Sequence, residues 1–490
     1  MHALRRGGNA VDAALAAAIT LTVVEPNNNG VGSDAFCILW DGEKLVGLNA
    51  SGCAPAGWTA ERFAGRERMP TFGWDAVTVP GAVSAWVALS ERYGKLPFAD
   101  LFESAREYAR EGFQVGPKSA FYWQALAAQY EKYPEFARHF LPAPAAGARF
   151  YRPELAATLA LIAESRGEAF YRGELADQID AAARADGGAL RKEDLRDHEP
   201  LWVDPVAQDY RGVCLHEIPP NGQGLAAQIA LGILAHLPRA EVDSVDWLHQ
   251  QIEAMKIAVR AAQDHIADLR SMQTPLADLL DERSLARAAA GIGEHASAGP
   301  PTALPVSPDT VYLTTADAGG MMVSYIQSNF FAFGSGIVIP GTGIAMQNRG
   351  SGFVLDPEHP NCVGPGKRPF HTIIPGFVTR ADEPLLSFGV MGGHMQHQGH
   401  VQMVTRMFDH GQNPQAASDA PRWHVYPDFR VALERGFAAG VADALRARGH
   451  EVVTDAPEST FGGAQLICRT ADGYVAGSDH RKEGHAAGYG

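Results

Sequence analysis

The chain has 490 residues, of which 46% are hydrophobic and 20% are charged, so it is long enough to bury a large core. This balance excludes a fibre, a linker or a disordered tail. The formal net charge of −15, without any cluster of Lys and Arg, argues against a nucleic-acid partner and leaves small polar substrates open.

The sequence also bears on the cellular compartment. No apolar run reaches the roughly 18 to 20 residues of a membrane helix, and the first residues lack the order of segments that a secretory signal has. Scattered cysteines without metal spacing favour free thiols over disulfides. They are Cys37, Cys53, Cys214, Cys362 and Cys468. We expect a cytoplasmic protein that has no membrane partner.

Helix and strand patterns alternate in the first part of the chain. The periodicity predicts a buried helix over 9–24, a hairpin over 35–48, a short strand over 77–80, and helices over 82–93 and 98–111. Between about 115 and 287 the pattern is mostly helical, which predicts an additional helical lobe.

The character of the sequence changes near residue 288. Residues 288–309 are crowded with Ala, Gly, Ser and Pro, which predicts a linker. Beyond it, strands are predicted over 311–315, 321–327, 337–339, 372–379 and 385–390, followed by a helix over 395–409. Helices before the linker and strands after it suit two facing sheets covered by helices.

Thr310 opens the first strand behind this linker. A threonine hydroxyl is a weak nucleophile unless a base lies beside it, and a threonine at a chain start can use its own α-amine. Cleavage between Asp309 and Thr310 would create that amine, with a pKa near ~8 that suits a base. Alone the pattern is weak, because threonine favours strands in any case.

A series of short motifs strengthens this interpretation. Before Thr310 stand Gly7-Gly8-Asn9-Ala10-Val11-Asp12, Val24-Glu25-Pro26, Val79-Pro80-Gly81 and Pro219-Pro220-Asn221-Gly222-Gln223-Gly224. After it stand Phe333-Gly334-Ser335-Gly336, Gly366-Lys367-Arg368-Pro369, Met391-Gly392-Gly393, Asn413-Pro414-Gln415 and Ser478-Asp479-His480-Arg481. In order and spacing the chain resembles the γ-glutamyltranspeptidase family of N-terminal-nucleophile hydrolases, and is most similar to its oxamate amidohydrolase branch.

The resemblance implies an α+β fold, a four-layer αββα sandwich, and cleavage into a large segment, 1–309, and a small segment, 310–490. The segments would stay associated as a heterodimer, and two heterodimers can pair. It implies no cofactor and no metal. It also implies a further strand ahead of residue 7, so whether Met1 is the true start stays open.

The resemblance also assigns roles at the nucleophile. Gly392 and Gly393 would supply the backbone N–H groups of an oxyanion hole, although Gly-Gly is also common in plain turns. Ser328 would hold the nucleophile, with Gln327 as the alternative register. Asn329 would contact the nucleophile or the substrate, or else cap a turn.

Two charged groups of the family pattern are missing. Ser51 stands where the family's carboxylate-binding arginine is expected, and no acidic residue lies near Gly352. Arg349 can bind a carboxylate instead, unless it is a surface arginine. His371 and Thr372 complete the predicted substrate pocket, although His371 can also be an ordinary loop histidine.

This replacement predicts hydrolysis of a small acidic amide such as oxamate. Three alternatives stay open: true γ-glutamyl transfer or glutathione hydrolysis, a glutaryl or cephalosporin-type acylase, and an uncleaved, inactive relative that acts as a binding protein. His394, His397 and His400 have a helical spacing that can serve a metal, but a polar helix start beside the active site is the preferred interpretation.

Overall fold

The computed structural model describes residues 1–298 and 310–488. Its strands are β1 (Asp34–Trp40), β2 (Leu45–Asn49), β3 (Phe113–Gln114), β4 (Arg149–Phe150), β5 (Leu201–Val203), β6 (Val206–Tyr210), β7 (Val213–Glu217), β8 (Val311–Ala316), β9 (Met322–Ser328), β10 (Val338–Ile339), β11 (Ile344–Ala345), β12 (Gly376–Arg380), β13 (Glu383–Met391), β14 (Trp423–Val425), β15 (Val431–Leu433), β16 (Val452–Val453), β17 (Gly463–Thr470) and β18 (Gly473–Ser478).

The α-helices follow the same chain order. They are α1 (His2–Arg5), α2 (Ala10–Val24), α3 (Ala82–Tyr93), α4 (Glu103–Glu111), α5 (Pro117–Leu126), α6 (Pro134–Phe140), α7 (Pro153–Ser165), α8 (Glu168–Tyr171), α9 (Glu174–Ala185), α10 (Lys192–Arg196), α11 (Gly224–Ala235), α12 (Val245–His265), α13 (Leu276–Leu279), α14 (Glu282–Ala290), α15 (Gln396–Phe408), α16 (Pro414–Asp419) and α17 (Val441–Ala447). The start of α2 is fixed by a capping box, in which Asn9 and Asp12 bond each other's backbone N–H groups.

Two antiparallel sheets form the centre of the molecule. One has the strand order β5-β2-β1-β9-β8 and the other β18-β17-β13-β12-β7-β6. Helix α2 packs on β8 and β9, whereas α11 and α15 pack on β6 and β13. The layers therefore run helix, sheet, sheet, helix, and the predicted αββα sandwich of the α+β class is confirmed.

The space between the two sheets is filled by apolar side chains from both of them. Phe36, Ile38, Tyr312 and Ile326 come from the first sheet, and Phe377 is one of the residues that meet them from the second. Side chains alternate between the faces of a strand, so every second residue of β1, β8 and β9 points into this space. The same alternation decides which residues face each other at the ends of these strands.

Several predicted elements differ from the structure. Residues 77–80 form no strand, because Pro80 has no N–H group to continue a ladder. Strands β4, β5, β6 and β7 lie inside the range 115–287 that was predicted as a helical lobe, together with the helices from α5 to α13. Residues 291–298 contain neither helix nor strand, and the rest of the predicted linker, 299–309, lies outside the described residues.

Among residues 1–298 and 310–488, no helix is both long and apolar enough to cross a membrane.

Candidate active site

Three neighbouring strands bring three polar residues into one row at the end of the inter-sheet space. Asp34 at the start of β1 lies opposite Ser328 at the end of β9. On the other side of β9, Val311 lies opposite Gln327, so Thr310 lies beside Ser328. All three side chains share the alternation of Phe36, Ile326 and Tyr312, which places them between the sheets.

The hydroxyl of Thr310 is buried and hydrogen-bonded. It donates to Ser328 Oγ at 3.2 Å, and Gln396 Nε2 donates to it at a long 3.4 Å. Gln396 is the first residue of α15 and is itself fixed, because its Oε1 accepts from the Ile374 N–H at 2.9 Å. The hydroxyl is therefore held between the two sheets by neutral partners, while Asp309 lies outside the described residues.

Asn329 is held in place from the large segment. Its Oδ1 accepts from Ser33 Oγ at 2.8 Å, and its backbone N–H donates to the Asn28 carbonyl at 3.3 Å. Within the described residues its buried Nδ2 has no hydrogen-bond partner. An unpaired buried donor costs free energy unless a ligand accepts from it, so Asn329 is suited to bind substrate.

The predicted oxyanion residues form a tight turn between β13 and α15. Gly392 and Gly393 have φ angles of 119° and 57°, which side-chain-bearing residues rarely adopt. Gln223 fixes this turn, since its Nε2 donates to the Gly393 carbonyl at 2.9 Å and to the Thr372 carbonyl at 2.6 Å. One side chain therefore links the glycine turn to the predicted substrate pocket.

Arg349 is fully buried, which rules out the alternative of a surface arginine. Its Nη1 donates to Thr372 Oγ1 at 2.8 Å, and its guanidinium lies 4.1 Å from the centre of the Phe330 ring. Among the described residues neither its Nε nor its Nη2 has an acceptor. Burial lowers the pKa of Arg349 to about 9, and a nearby carboxylate acts in the opposite direction.

That carboxylate is Asp34, which sequence reasoning missed. Its Oδ1 accepts from the Gly52 N–H at 3.2 Å, and its Oδ2 lies 3.2 Å from His371 Nε2. Burial raises the pKa of Asp34 to about 7, against lowering by Arg349. No acidic residue stands near Gly352 in the sequence, but β1 brings a buried carboxylate to His371 from a distant part of the chain.

Both ring nitrogens of His371 are used inside the protein. Burial holds the pKa of His371 well below its ordinary value, so the ring is neutral. Nδ1 accepts from the Ile373 N–H at 3.4 Å, which leaves the proton on Nε2 facing Asp34. His371 therefore bonds Asp34 and its own loop, whereas the neighbouring Thr372 bonds Arg349.

Ser51 stands at the position of the missing arginine, and its carbonyl accepts from Arg368 Nε at 2.9 Å. Its hydroxyl donates to Asn49 Oδ1 at 2.7 Å and accepts from Asn221 Nδ2 at 3.2 Å. Asn221 also donates to the Pro369 carbonyl at 2.7 Å. Through Asn221, the Ser51 hydroxyl therefore connects the segment after β2 to the loop that carries His371 and Thr372.

The histidines after the glycine turn do not form a metal-type cluster. Within the described residues, the one group whose ligand atoms lie within 4.8 Å of one another is His249, Glu253 and His450. There Lys256 Nζ lies 2.7 Å from Glu253 and 3.4 Å from His450 Nδ1, so an ammonium already sits among the ligand atoms. In α15, His400 Nδ1 instead lies 2.6 Å from the buried Glu217.

The fold and the buried threonine at its centre define the class of N-terminal-nucleophile hydrolases. A model of the γ-glutamyltranspeptidase family matches residues 1–489. The chain belongs to this family, and it is an enzyme of the hydrolase and acyltransferase type that the family comprises.

Sequence relatives match almost the entire chain. The glutathione hydrolase-like YwrD proenzyme of Bacillus subtilis is 37% identical, with 99% of this chain and 95% of the relative covered. The oxamate amidohydrolase proenzyme of Klebsiella pneumoniae is 35% identical with the same coverage. A solved cephalosporin acylase from Bacillus halodurans has a TM-score of 0.96 and 46% identity, covering 100% of this chain and 93% of that one.

Proposed function

We propose that this protein is a self-cleaving amidohydrolase that uses Thr310 as nucleophile and hydrolyses a small acidic amide, such as oxamate, through an acyl-enzyme. The observation that carries the proposal is Arg349. A fully buried guanidinium with two donors lacking acceptors among the described residues suits a substrate carboxylate. It lies over Phe330, two residues from the Ser328 hydroxyl that holds Thr310.

The chemistry begins with the cut between Asp309 and Thr310. The new α-amine of Thr310 takes the proton of its own hydroxyl as the oxygen attacks the amide carbonyl. The N–H groups of Gly392 and Gly393 stabilise the resulting oxyanion. As the oxyanion collapses, the Thr310 α-ammonium gives its proton to the departing nitrogen, which leaves as an amine (ammonia in the case of oxamate), and an acyl ester remains on Thr310. Water then attacks this ester, with the same amine as base, and releases the acid.

The carboxylate end of the substrate, here called the substrate head, lies at the Arg349 end of the site. Arg349 and Thr372 bind the carboxylate, Asn329 donates its Nδ2–H to a substrate oxygen, and His371 supports this wall. The charge of Arg349 makes an anionic head the best match, since an anion supplies the missing acceptors in a closed pocket. The relative named oxamate amidohydrolase supports this choice of substrate.

Segments 1–309 and 310–490 are proposed to be the two chains of the mature enzyme. Both sequence relatives named above are proenzymes, which supports processing. The pairing of β1 with β9 along the whole of β1 keeps the segments together as a heterodimer. A further pairing of two heterodimers stays an expectation from the resemblance.

A substrate panel tests the proposal. We expect purified enzyme to give two bands on a denaturing gel, a small chain whose mass begins at Thr310, and ammonia from oxamate. Oxamide, which lacks the carboxylate, is the matched control and should be a poor substrate. Release of nitroaniline from γ-glutamyl-p-nitroanilide, with no ammonia from oxamate, would overturn the substrate assignment in favour of γ-glutamyl transfer.

Acylase activity is a second candidate, favoured by the likeness to the cephalosporin acylase. Beside Phe330, Phe331 is half-buried and packs edge-on against Phe72, with ring centres 6.1 Å apart. These rings can border a longer acyl chain whose terminal carboxylate reaches Arg349. A glutaryl amide turned over faster than oxamate would favour this candidate and keep the role of Arg349.

A further inference from the structure

We propose that Asp34 is the internal counter-ion of the anion pocket, and that it takes up one proton from solvent when an anionic substrate head binds Arg349. The inference rests on the proposed function, since it needs an anion at Arg349. It makes Asp34 a positioning and specificity-determining residue that does not itself touch the substrate.

The first argument is where Asp34 lies. Its side chain is fully buried, and each carboxylate oxygen faces a protein donor, the Gly52 N–H on one side and His371 Nε2–H on the other. The adjacent residue Thr372 bonds Arg349, so the two charges are connected through neighbouring residues of one loop. Among the described residues they form no direct ion pair within 4.0 Å.

The second argument is a count of charges. Among the fully buried groups of the site, the positive Arg349 is balanced by one negative Asp34, and His371 beside Asp34 is neutral. A bound carboxylate adds a second negative charge among side chains that are all buried from water. A second unpaired charge costs free energy in such a site. Protonation of Asp34 removes this excess, and burial already raises the pKa of Asp34 to about 7. Proton uptake therefore accompanies binding above that pH.

Other groups near the pocket do not supply this proton uptake below pH 8. Arg368 also lies near Asp34 and donates to the Ser51 and Glu199 carbonyls, and burial raises the pKa of Tyr171, which stays neutral. Burial lowers the pKa of His394, beside Arg349, to about 4. The α-amine of processed Thr310, across Ser328 from Asp34, titrates near ~8 and has to be separated by a variant.

A small anion that lacks the amide measures this linkage directly. Propanoate has the size of oxamate, and propionamide is its uncharged control. Calorimetric titrations of the mature enzyme in two buffers of different ionisation enthalpy give the number of protons taken up. We expect close to one proton at pH 8 and almost none at pH 6, and an affinity for propanoate that falls up to about tenfold per pH unit above 7.

The Asp34→Asn variant gives the sharpest outcome, because asparagine has almost the same size as aspartate and keeps one acceptor oxygen but cannot ionise. Native Asp34, with a pKa of about 7, is mostly ionised at pH 8, so the variant should bind propanoate about tenfold more tightly at that pH. A purely structural role predicts weaker binding instead. Proton uptake that remains in the variant belongs to the Thr310 amine.

Glu217→Gln is the matched control, since Glu217 is another buried carboxylate that faces a histidine, His400, but no arginine. It should change neither proton uptake nor affinity. Propanoate binding without proton uptake, or an unchanged uptake in Asp34→Asn, would overturn the role of Asp34 alone. Absence of propanoate binding at every pH, together with absence of oxamate turnover, would overturn the anion pocket itself.

Discussion

The two ends of the candidate site differ in charge. At the nucleophile end, the partners of Thr310 include two uncharged groups, the hydroxyl of Ser328 and the amide of Gln396. At the head end, Arg349 and Asp34 are both buried and charged, and the guanidinium has donors without acceptors among the described residues. At the head end the charges of Arg349 and Asp34 offset each other in the free protein, but two donor groups of the guanidinium still lack acceptors among the described residues.

This difference lets two proposed reactions, self-cleavage and substrate turnover, be tested separately. In the proposed mechanism, attack on the preceding peptide bond and attack on a substrate use the same hydroxyl, so the nucleophile end would serve both reactions. The head pocket matters only for substrate, because self-cleavage brings its own carbonyl. Variants of the two ends should therefore differ in whether processing is affected along with turnover.

Thr310→Ala should have the largest effect. Loss of the nucleophile is expected to abolish processing and to lower kcat by roughly 10⁴- to 10⁶-fold. A single full-length band and its intact mass on prolonged incubation are the measurement. Thr314→Ala is the control, since Thr314 lies on the same face of β8 and bonds Ser387 at 2.6 Å. Normal processing of Thr310→Ala would contradict the assignment.

Arg349→Gln should have the next largest effect, on substrate alone. Removal of the charge partner of a buried carboxylate costs about 3 kcal/mol, or about 100-fold in kcat/KM for oxamate. Processing should remain normal by gel. Arg152→Gln is the control, because Arg152 is also buried but bonds the backbone carbonyls of Thr22 and Gly343. If Arg349→Gln instead blocks processing, the two ends are not independent.

Ser328→Ala should have a smaller effect that appears in both reactions. The Ser328 hydroxyl accepts from Thr310 and, at 2.8 Å, from the Phe330 N–H. Loss of such bonds costs about 1 to 1.5 kcal/mol, so processing rate and kcat should each fall about tenfold, with KM for oxamate nearly unchanged. Single-turnover kinetics and a processing time course test this, and a change in KM alone would place Ser328 in the head pocket.

The sequence predicted the nucleophile end better than the head end. Thr310, Ser328 and Asn329 belong to one β-hairpin, so their proximity follows from local strand patterns. Arg349 could be recognised only as a residue that replaces an expected one. Asp34 could not be assigned to this site from the sequence, because its neighbours Ser328 and His371 are distant in the chain and are brought to it only by the pairing of β1 with β9 and by a loop.

Strands β5 to β7 were missed for a related reason. They are short, and β6 alternates half-buried and exposed residues without a strong apolar run, so their stability comes from pairing with β2 and β12. Asp34 does carry one local signal. A charged residue that begins an otherwise apolar strand and shares the inward face of Phe36 must have a partner inside the protein.

The pairing of β1 with β9 has a consequence for the order in which the chain folds and is cleaved. These strands come from opposite sides of the proposed cut, and each forms part of the same sheet only through the other. An intact chain can bring them together within one molecule, whereas severed pieces must first meet by diffusion. Recovery from denaturant should thus depend on protein concentration after processing but not before, which makes scission a step that has to come after folding.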